Sequence, residues 1–165
     1  MIIDMPSPGK FIDRMVIRGS FDQSSTTING DRARIQLWDG TWNYGYRVVA
    51  FYVWGLDTEC HGTLRTQGIP VGATGDRIVT SQMNAANNVQ IAWASGPSSG
   101  VGPLQDGIVD PSNLVIEDLY VFGYATGTTQ PWNYMIVMDK YDISEMRSTA
   151  AMIENNSQGP VVRDL

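Results

Sequence analysis

One histidine, one cysteine and no run of basic residues leave this chain short of the side chains on which most chemistry depends. Cys60, alone, cannot form an intrachain disulfide, so the fold does not depend on an oxidising compartment. Any catalytic triad or general-base site would have to be built on His61. Eleven Lys and Arg stand against 17 Asp and Glu, a net charge of −6. That balance argues against direct nucleic-acid binding, which needs clustered cations to displace counterions from phosphates. No stretch approaches the roughly 18–20 apolar residues of a membrane span. The opening MIIDMPSPGK has no basic segment followed by an apolar one, so neither membrane insertion nor export is expected.

Charged residues make up only 17% of the chain, which leaves much of the surface neutral and suits a protein whose surface is covered by neighbours. Glycine (17 residues) and uncharged polar residues are plentiful, as turns in an all-β chain require. A chain of this length can bury roughly 70% of its unfolded surface, enough for one domain with a real core. The reading is an extended N-terminal arm over 1–10, a single sandwich domain over 11–156 and a tail over 157–165.

Hydrophobic patterning supplies the strands. RARIQLW (32–38) alternates, with Ala33, Ile35 and Leu37 on one face and Arg32, Arg34 and Gln36 on the other. Asp39-Gly40 signals a reversal. RVVAFYVWG (47–55) is apolar on both faces and reads as a central strand. GTLRTQGIPVGATGD (62–76) holds a short strand at most within a long loop. VQIAWA (89–94) alternates Val89, Ile91 and Trp93 against Gln90, Ala92 and Ala94. SGPSSGVGPLQDG (95–107) reads as an exposed loop. LVIEDLYVFGY and NYMIVMDK read as the two strands of a hairpin spanning Leu114 to Lys140. One helix follows, with Asp142 as its cap, Glu145 reaching back, and Ile143, Met146, Ala150 and Ile153 at helical spacing to about Asn156. The fold expected is all-β: an antiparallel sandwich, jelly-roll-like, with a short C-terminal helix.

Candidate chemistry is sparse. In DTECHG, an extended backbone would bring Asp57, Glu59 and His61 to one face, a conceivable metal face. No second His or Cys has ligand spacing, and Cys60 would point away, so the segment reads as an exposed polar turn and neither metal nor cofactor is expected. GATGD (72–76) lacks the GK[ST] ending of a phosphate loop and reads as a turn. Glu117 and Asp118 are adjacent on a strand and project oppositely, so they cannot act as paired acid and base. One of the two points inward or toward a partner; Asp118, between Ile116 and Tyr120 on one face, would need an arginine or backbone donors if it is the inward one, and a capped turn or a sheet-edge salt bridge is its commoner role. An enzyme is therefore not expected.

Five Trp and seven Tyr are the conspicuous resource. Trp38, Trp42, Tyr44 and Tyr46 would alternate along one face if the strand ran through Asp39-Gly40, a possible stacking platform for sugars. Core packing or subunit contact is the commoner fate of such residues. Trp132, Tyr124, Trp42, Tyr44 and Tyr46 are the candidate subunit contacts.

The C-terminal third, VQIAWAS, IVDPSNLVIEDLYVFGY and NYMIVMDKYDISEMRSTAAMIENNSQ, resembles small structural proteins of bacteriophage virions known from aquatic environments. The resemblance covers about residues 89–158 and rests on "DPSNLVIEDLYV" and "NYMIVMDKYDIS". It implies a capsid-associated subunit with a jelly-roll or related sandwich, present in many copies. Its partners would be copies of itself and other virion proteins, and its place the virion after synthesis in the host cytoplasm. The composition is compatible with a second function, a carbohydrate-binding sandwich using exposed Trp and Tyr.

Overall fold

A computed structural model describes residues 7–21, 31–56, 58–68, 85–97, 107–125 and 131–144. They form eight strands: β1 (Lys10–Phe21), β2 (Asp31–Ile35), β3 (Tyr44–Gly55), β4 (Cys60–Arg65), β5 (Gln90–Gly96), β6 (Ile108–Val109), β7 (Leu119–Ala125) and β8 (Trp132–Asp142). The strands make two antiparallel sheets packed face to face, one of three strands in the order β1-β8-β3 and one of five in the order β2-β7-β4-β5-β6. The protein is an all-β sandwich.

The pairing follows the path of a long hairpin folded over on itself. β1 pairs with β8, β2 with β7 and β4 with β5, which is the strand scheme of a jelly roll. The remaining pair, β3 with β6, is irregular. β6 is laddered to β5, while Gly107 beside it donates its backbone N–H to Phe51 O of β3 at 3.1 Å. Further on, Val115 and Tyr46 exchange two backbone bonds of 2.8 Å. Between these points β3 carries a bulge at Val48–Ala50. There the buried Asn113 amide stands in for a strand, accepting from Val48 N at 2.8 Å and donating to Val48 O at 2.9 Å. Residues 107–115 therefore close one side of the sandwich, and no ladder group of Val48 is left buried without a partner.

The core fills the space between the sheets. On β8, Trp132, Tyr134, Ile136 and Met138 point inward at every second position and are buried. They meet Val48, Phe51 and Val53 of β3 and, from the facing sheet, Leu64, Leu119 and Val121. Two glycines set the approach distance. Gly62 and Gly123 face each other in the β4–β7 register. A Cβ at Gly62 would lie 2.9 Å from Val53 Cγ1, and one at Gly123 would lie 2.6 Å from the tip of the Trp132 ring. The notch they leave is what the opposite sheet fills.

Several expectations from sequence are corrected. The segment from Leu114 to Lys140 is not a hairpin, because β7 belongs to the five-stranded sheet and β8 to the three-stranded one. Its first part is not strand either: Leu114 and Ile116 turn aside to pack with Ile143 in a separate cluster. β3 is not the central strand of its sheet; β8 is, and the bulge leaves Val49 exposed. Both faces of the 89–94 alternation are largely buried, Gln90, Ala92 and Ala94 with Val89 and Ile91, while Trp93 is half-buried. The short strand expected at the start of 62–76 is present as β4, which begins at Cys60 and lies between β7 and β5. The alternation of β2 is as expected, with Ala33 and Ile35 half-buried and Arg32 and Arg34 exposed. The C-terminal helix beyond Ser144, the GATGD turn, most of the 95–107 loop and most of the N-terminal arm lie outside the described residues.

Candidate functional site

Two surfaces combine exposed apolar area with charge. The first is the outer face of the three-stranded sheet. Because Trp132, Tyr134, Ile136 and Met138 point inward, Met135, Val137, Asp139 and Tyr141 point outward. Strand register adds Arg14, Val16 and Arg18 from β1 and Arg47, Ala50 and Tyr52 from β3 to the same face. Val16 is 56% exposed and Phe11, packed edge-on against Tyr141 at 5.9 Å, is 52% exposed.

A charged row crosses this apolar surface. Arg14 donates to both carboxylate oxygens of Asp139, at 2.7 and 3.1 Å. That bidentate bond, and then the charge behind it, raise the Arg14 guanidinium above its ordinary value. Arg47 stands opposite Asp139 in the register. Its guanidinium lies 5.8 Å from the centre of the Tyr141 ring, and its Nε donates to Asn113 O at 3.4 Å. Since the Arg14 side chain is largely solvated, the pair orients the row more than it stabilises the fold.

The second surface is an aromatic corner at residues 37–46, and Asp118 builds it. This carboxylate is 7% exposed. It accepts from Arg34 Nε at 2.7 Å, from a second Arg34 nitrogen, and from the backbone N–H groups of Leu37 at 3.1 Å and Trp38 at 3.4 Å. The buried acid thus has both an arginine and backbone donors, the two kinds an inward carboxylate requires. Next, Asp39 Oδ1 accepts from the Thr41 amide at 2.9 Å and from its hydroxyl at 2.7 Å, while Gly40 takes the left-handed φ of 90°. These bonds, hydroxyl first, hold the Asp39 carboxyl below the ordinary carboxylate range. The turn presents Trp38, 41% exposed, with its indole N–H given to Thr41 O at 2.9 Å and its ring 5.6 Å from that of Trp42.

No family model matches this chain, and no curated protein or solved structure matches it. The chemistry of the surfaces must therefore be read from their own residues.

The structure separates the residues expected to be subunit contacts. Trp132 is completely buried, its ring stacked 4.6 Å from Phe21, so it is a core residue and unavailable to a neighbour in the folded chain. Tyr46 is likewise buried, tied through its backbone to Val115. Trp42 is half-buried on the Leu114, Ile116 and Ile143 cluster. Tyr44 is half-buried with Lys140 Nζ 4.1 Å above its ring. Tyr124 is half-buried on the five-stranded sheet, 5.2 Å from the His61 ring. The residue that sequence reasoning left out of the contacts is Trp38. Its signal was the alternation of β2 itself, which continues through Leu37 and puts Trp38 on the wet side with Arg34 and Gln36.

His61 lies on β4, while Thr58 and Glu59 precede the strand and Glu59 is exposed. His61 Nδ1 is 2.7 Å from Ser95 Oγ on the adjacent strand, and Nε2 is 4.0 Å from Glu59 Oε1. Among the described residues no three His, Cys, Asp or Glu side chains converge as metal ligands would; Asp57 lies outside them. Cys60 points into the core, and burial pushes its thiol up to about 12. It therefore stays protonated at neutral pH and is a poor nucleophile.

Proposed function

We propose that this chain is a self-associating structural subunit of a virus particle, one that forms or decorates a phage capsid shell. The observation that carries the reading is the three-stranded sheet with apolar side chains on both faces. An antiparallel sheet with one face on the core ordinarily turns a polar face to water. Here Val16, Val137, Ala50, Met135 and Tyr52 face outward instead, and a surface of that kind marks a contact. Jelly-roll pairing adds support by analogy, since that architecture serves both viral shells and lectins. The resemblance of residues 89–158 to phage structural proteins is the reason for preferring the first of these. In this reading the partners are copies of the chain and other virion proteins. A net charge of −6 leaves nucleic acid to other components. The test is the solution mass of the purified protein over a concentration series, followed by its recovery with purified particles. A closed assembly supports the reading, and a monomer at every concentration that also fails to bind particles removes it.

A second reading, a carbohydrate-binding module, is favoured by one observation. Trp38 is exposed on a rigid turn beside Trp42 and the Asp39 carboxylate, the combination of flat apolar ring and acceptor that recognises a sugar. A glycan array probed with the wild type and with Trp38→Ala decides it. Uniform silence of the wild type, or signals that survive the substitution, would eliminate Trp38 as a sugar platform.

A further inference from the structure

We infer that the open edge of β1 pairs antiparallel with the same edge of a second copy of this chain, about a two-fold axis at Ile17. This rests on the self-association proposed above and names the strand that performs it.

β1 is the terminal strand of its sheet, and among the described residues no strand pairs with its far edge. A strand edge of this length, 12 residues, is a template for another chain unless it is blunted. Here it is blunted at one end only. A bulge lies between Phe11 and Asp13, and Asp13 Oδ1 accepts the Arg14 backbone N–H at 2.8 Å. That bond marks the Arg14 amide as facing the edge away from β8. Because successive amides point to opposite sides of a strand, those of Val16, Arg18 and Ser20 face the same open edge. Among the described residues no side chain guards these three. Past Asp13 no charged side chain of β1 points inward either. Met15, Ile17 and Phe21 do so, and they stay half-buried on the core because one flank of each lies along the open edge.

The sequence of the strand selects the second copy as occupant and fixes the register. A two-fold axis through a residue keeps the inward side chains of both copies inward, whereas one through a peptide bond would mix the faces. An axis at Arg18 would set that arginine against itself, and one at Val16 would set Arg14 against Arg18, both unfavourable. An axis at Met15 would draw the bulge and the guarded Arg14 amide into the ladder, and one at Gly19 would pair only residues 17–21. At Ile17 the ladder covers residues 13–21 and uses the open half of the edge. Ile17 meets itself, Met15 lies opposite Gly19, Arg14 opposite Ser20 and Val16 opposite Arg18. Each arginine therefore faces a neutral residue, and the stem of Arg18 covers the exposed Val16 of the other copy. Arginines approach one another only diagonally, and at this exposed edge they remain in water. The paired sheets become continuous across both copies, which joins their two apolar outer faces into one surface.

The experiment uses the full chain and measures the dissociation constant of the first association step by sedimentation over a concentration series. Val16→Lys places a lysine opposite Arg18 of the second copy, twice per dimer, and Val16→Glu places a glutamate there. The lysine variant should dissociate about tenfold more readily than the glutamate variant, or more. Net charge alone would order them the other way, since the chain already carries −6. Burial of the apolar face alone would make both charges weaken assembly alike. Arg18→Pro removes an edge amide without touching the ladder to β8, and should abolish the dimer. If circular dichroism shows that this variant does not fold, the Val16 pair decides by itself. Equal constants for the two Val16 variants, a tighter dimer with lysine, or undiminished assembly of a folded Arg18→Pro chain overturns the β1 pairing and leaves self-association standing. A wild type that is monomeric throughout overturns the self-association reading and the pairing with it.

Discussion

Replacing Asp118 should unsettle the fold more than its surface position in the strand order suggests, and more than replacing its ion-pair partner. The carboxylate is nearly buried and holds two backbone amides as well as Arg34. In Asp118→Ala, the Leu37 amide loses its acceptor in a half-buried site, while the Trp38 amide, on a more exposed residue, can take water instead. A buried donor left unmade costs about 1–3 kcal/mol, and a hydrogen bond to a charged group is worth about 1.5–3 kcal/mol. The Arg34 guanidinium, 61% exposed, simply rehydrates, so the expected loss is about 2–3 kcal/mol. Arg34→Ala removes only the exposed half of the pair and leaves Asp118 with its two amide donors, so a clearly smaller loss than in Asp118→Ala is expected. Asp118→Asn keeps an acceptor for the amides and should fall between the two. Urea unfolding followed by tryptophan fluorescence, at a concentration where the midpoint does not move with dilution, gives the three values. Equal losses in Arg34→Ala and Asp118→Ala would show that the ion pair, not the backbone anchoring, holds this corner, and would refute the reasoning.

The remaining predictions concern other parts of the molecule. Trp132→Ala should destabilise the chain by about 3–5 kcal/mol, as expected for emptying a large core site; a variant as stable as the wild type with altered association would return Trp132 to the surface. Cys60 should resist thiol-specific reagents at pH 8 until the protein is unfolded in urea, because it is buried and its thiol is raised to about 12; rapid labelling of the native protein would contradict that placement. Asp39 and Asp142 are both held below the ordinary carboxylate range by hydroxyl and amide donors, from Thr41 and Ser144 respectively. Their contribution is therefore present above the unfolded-state pKa of about 4 and is lost as pH falls through the lower folded values. The melting temperature should drop below about pH 4, and Asp39→Asn with Asp142→Asn should flatten that drop; an unchanged slope would show that other groups govern it.

Parts of this architecture could be read from the residues because local pattern decided them. β2 alternates, so its buried and wet faces followed directly. Asp118 had to find donors, because a carboxylate between Ile116 and Tyr120 has no other way to remain inside. Asp39-Gly40 turned as its residue types require. What could not be read was decided by pairing across the sandwich. An apolar run identifies a strand but carries no label for its sheet, so two successive runs, β7 and β8, passed for a hairpin although they lie in opposite layers. Trp132 was misplaced for the same reason. The residues just before it in sequence are polar, but its ring packs against Gly123, a residue of the other sheet where a Cβ would lie 2.6 Å from the ring tip. The aromatic face expected of Trp38, Trp42, Tyr44 and Tyr46 is broken at the Gly40 turn, which leaves Trp38 exposed and lets Tyr46 enter the core.

The measurement that tests the central claim most directly is the mass of the wild-type protein by light scattering across a hundredfold concentration range. A subunit that assembles through the outer face of its three-stranded sheet should give a mass that rises to a closed oligomer as concentration increases. A constant mass of 18.2 kDa at every concentration would contradict it, and would leave that apolar face without the neighbour proposed for it.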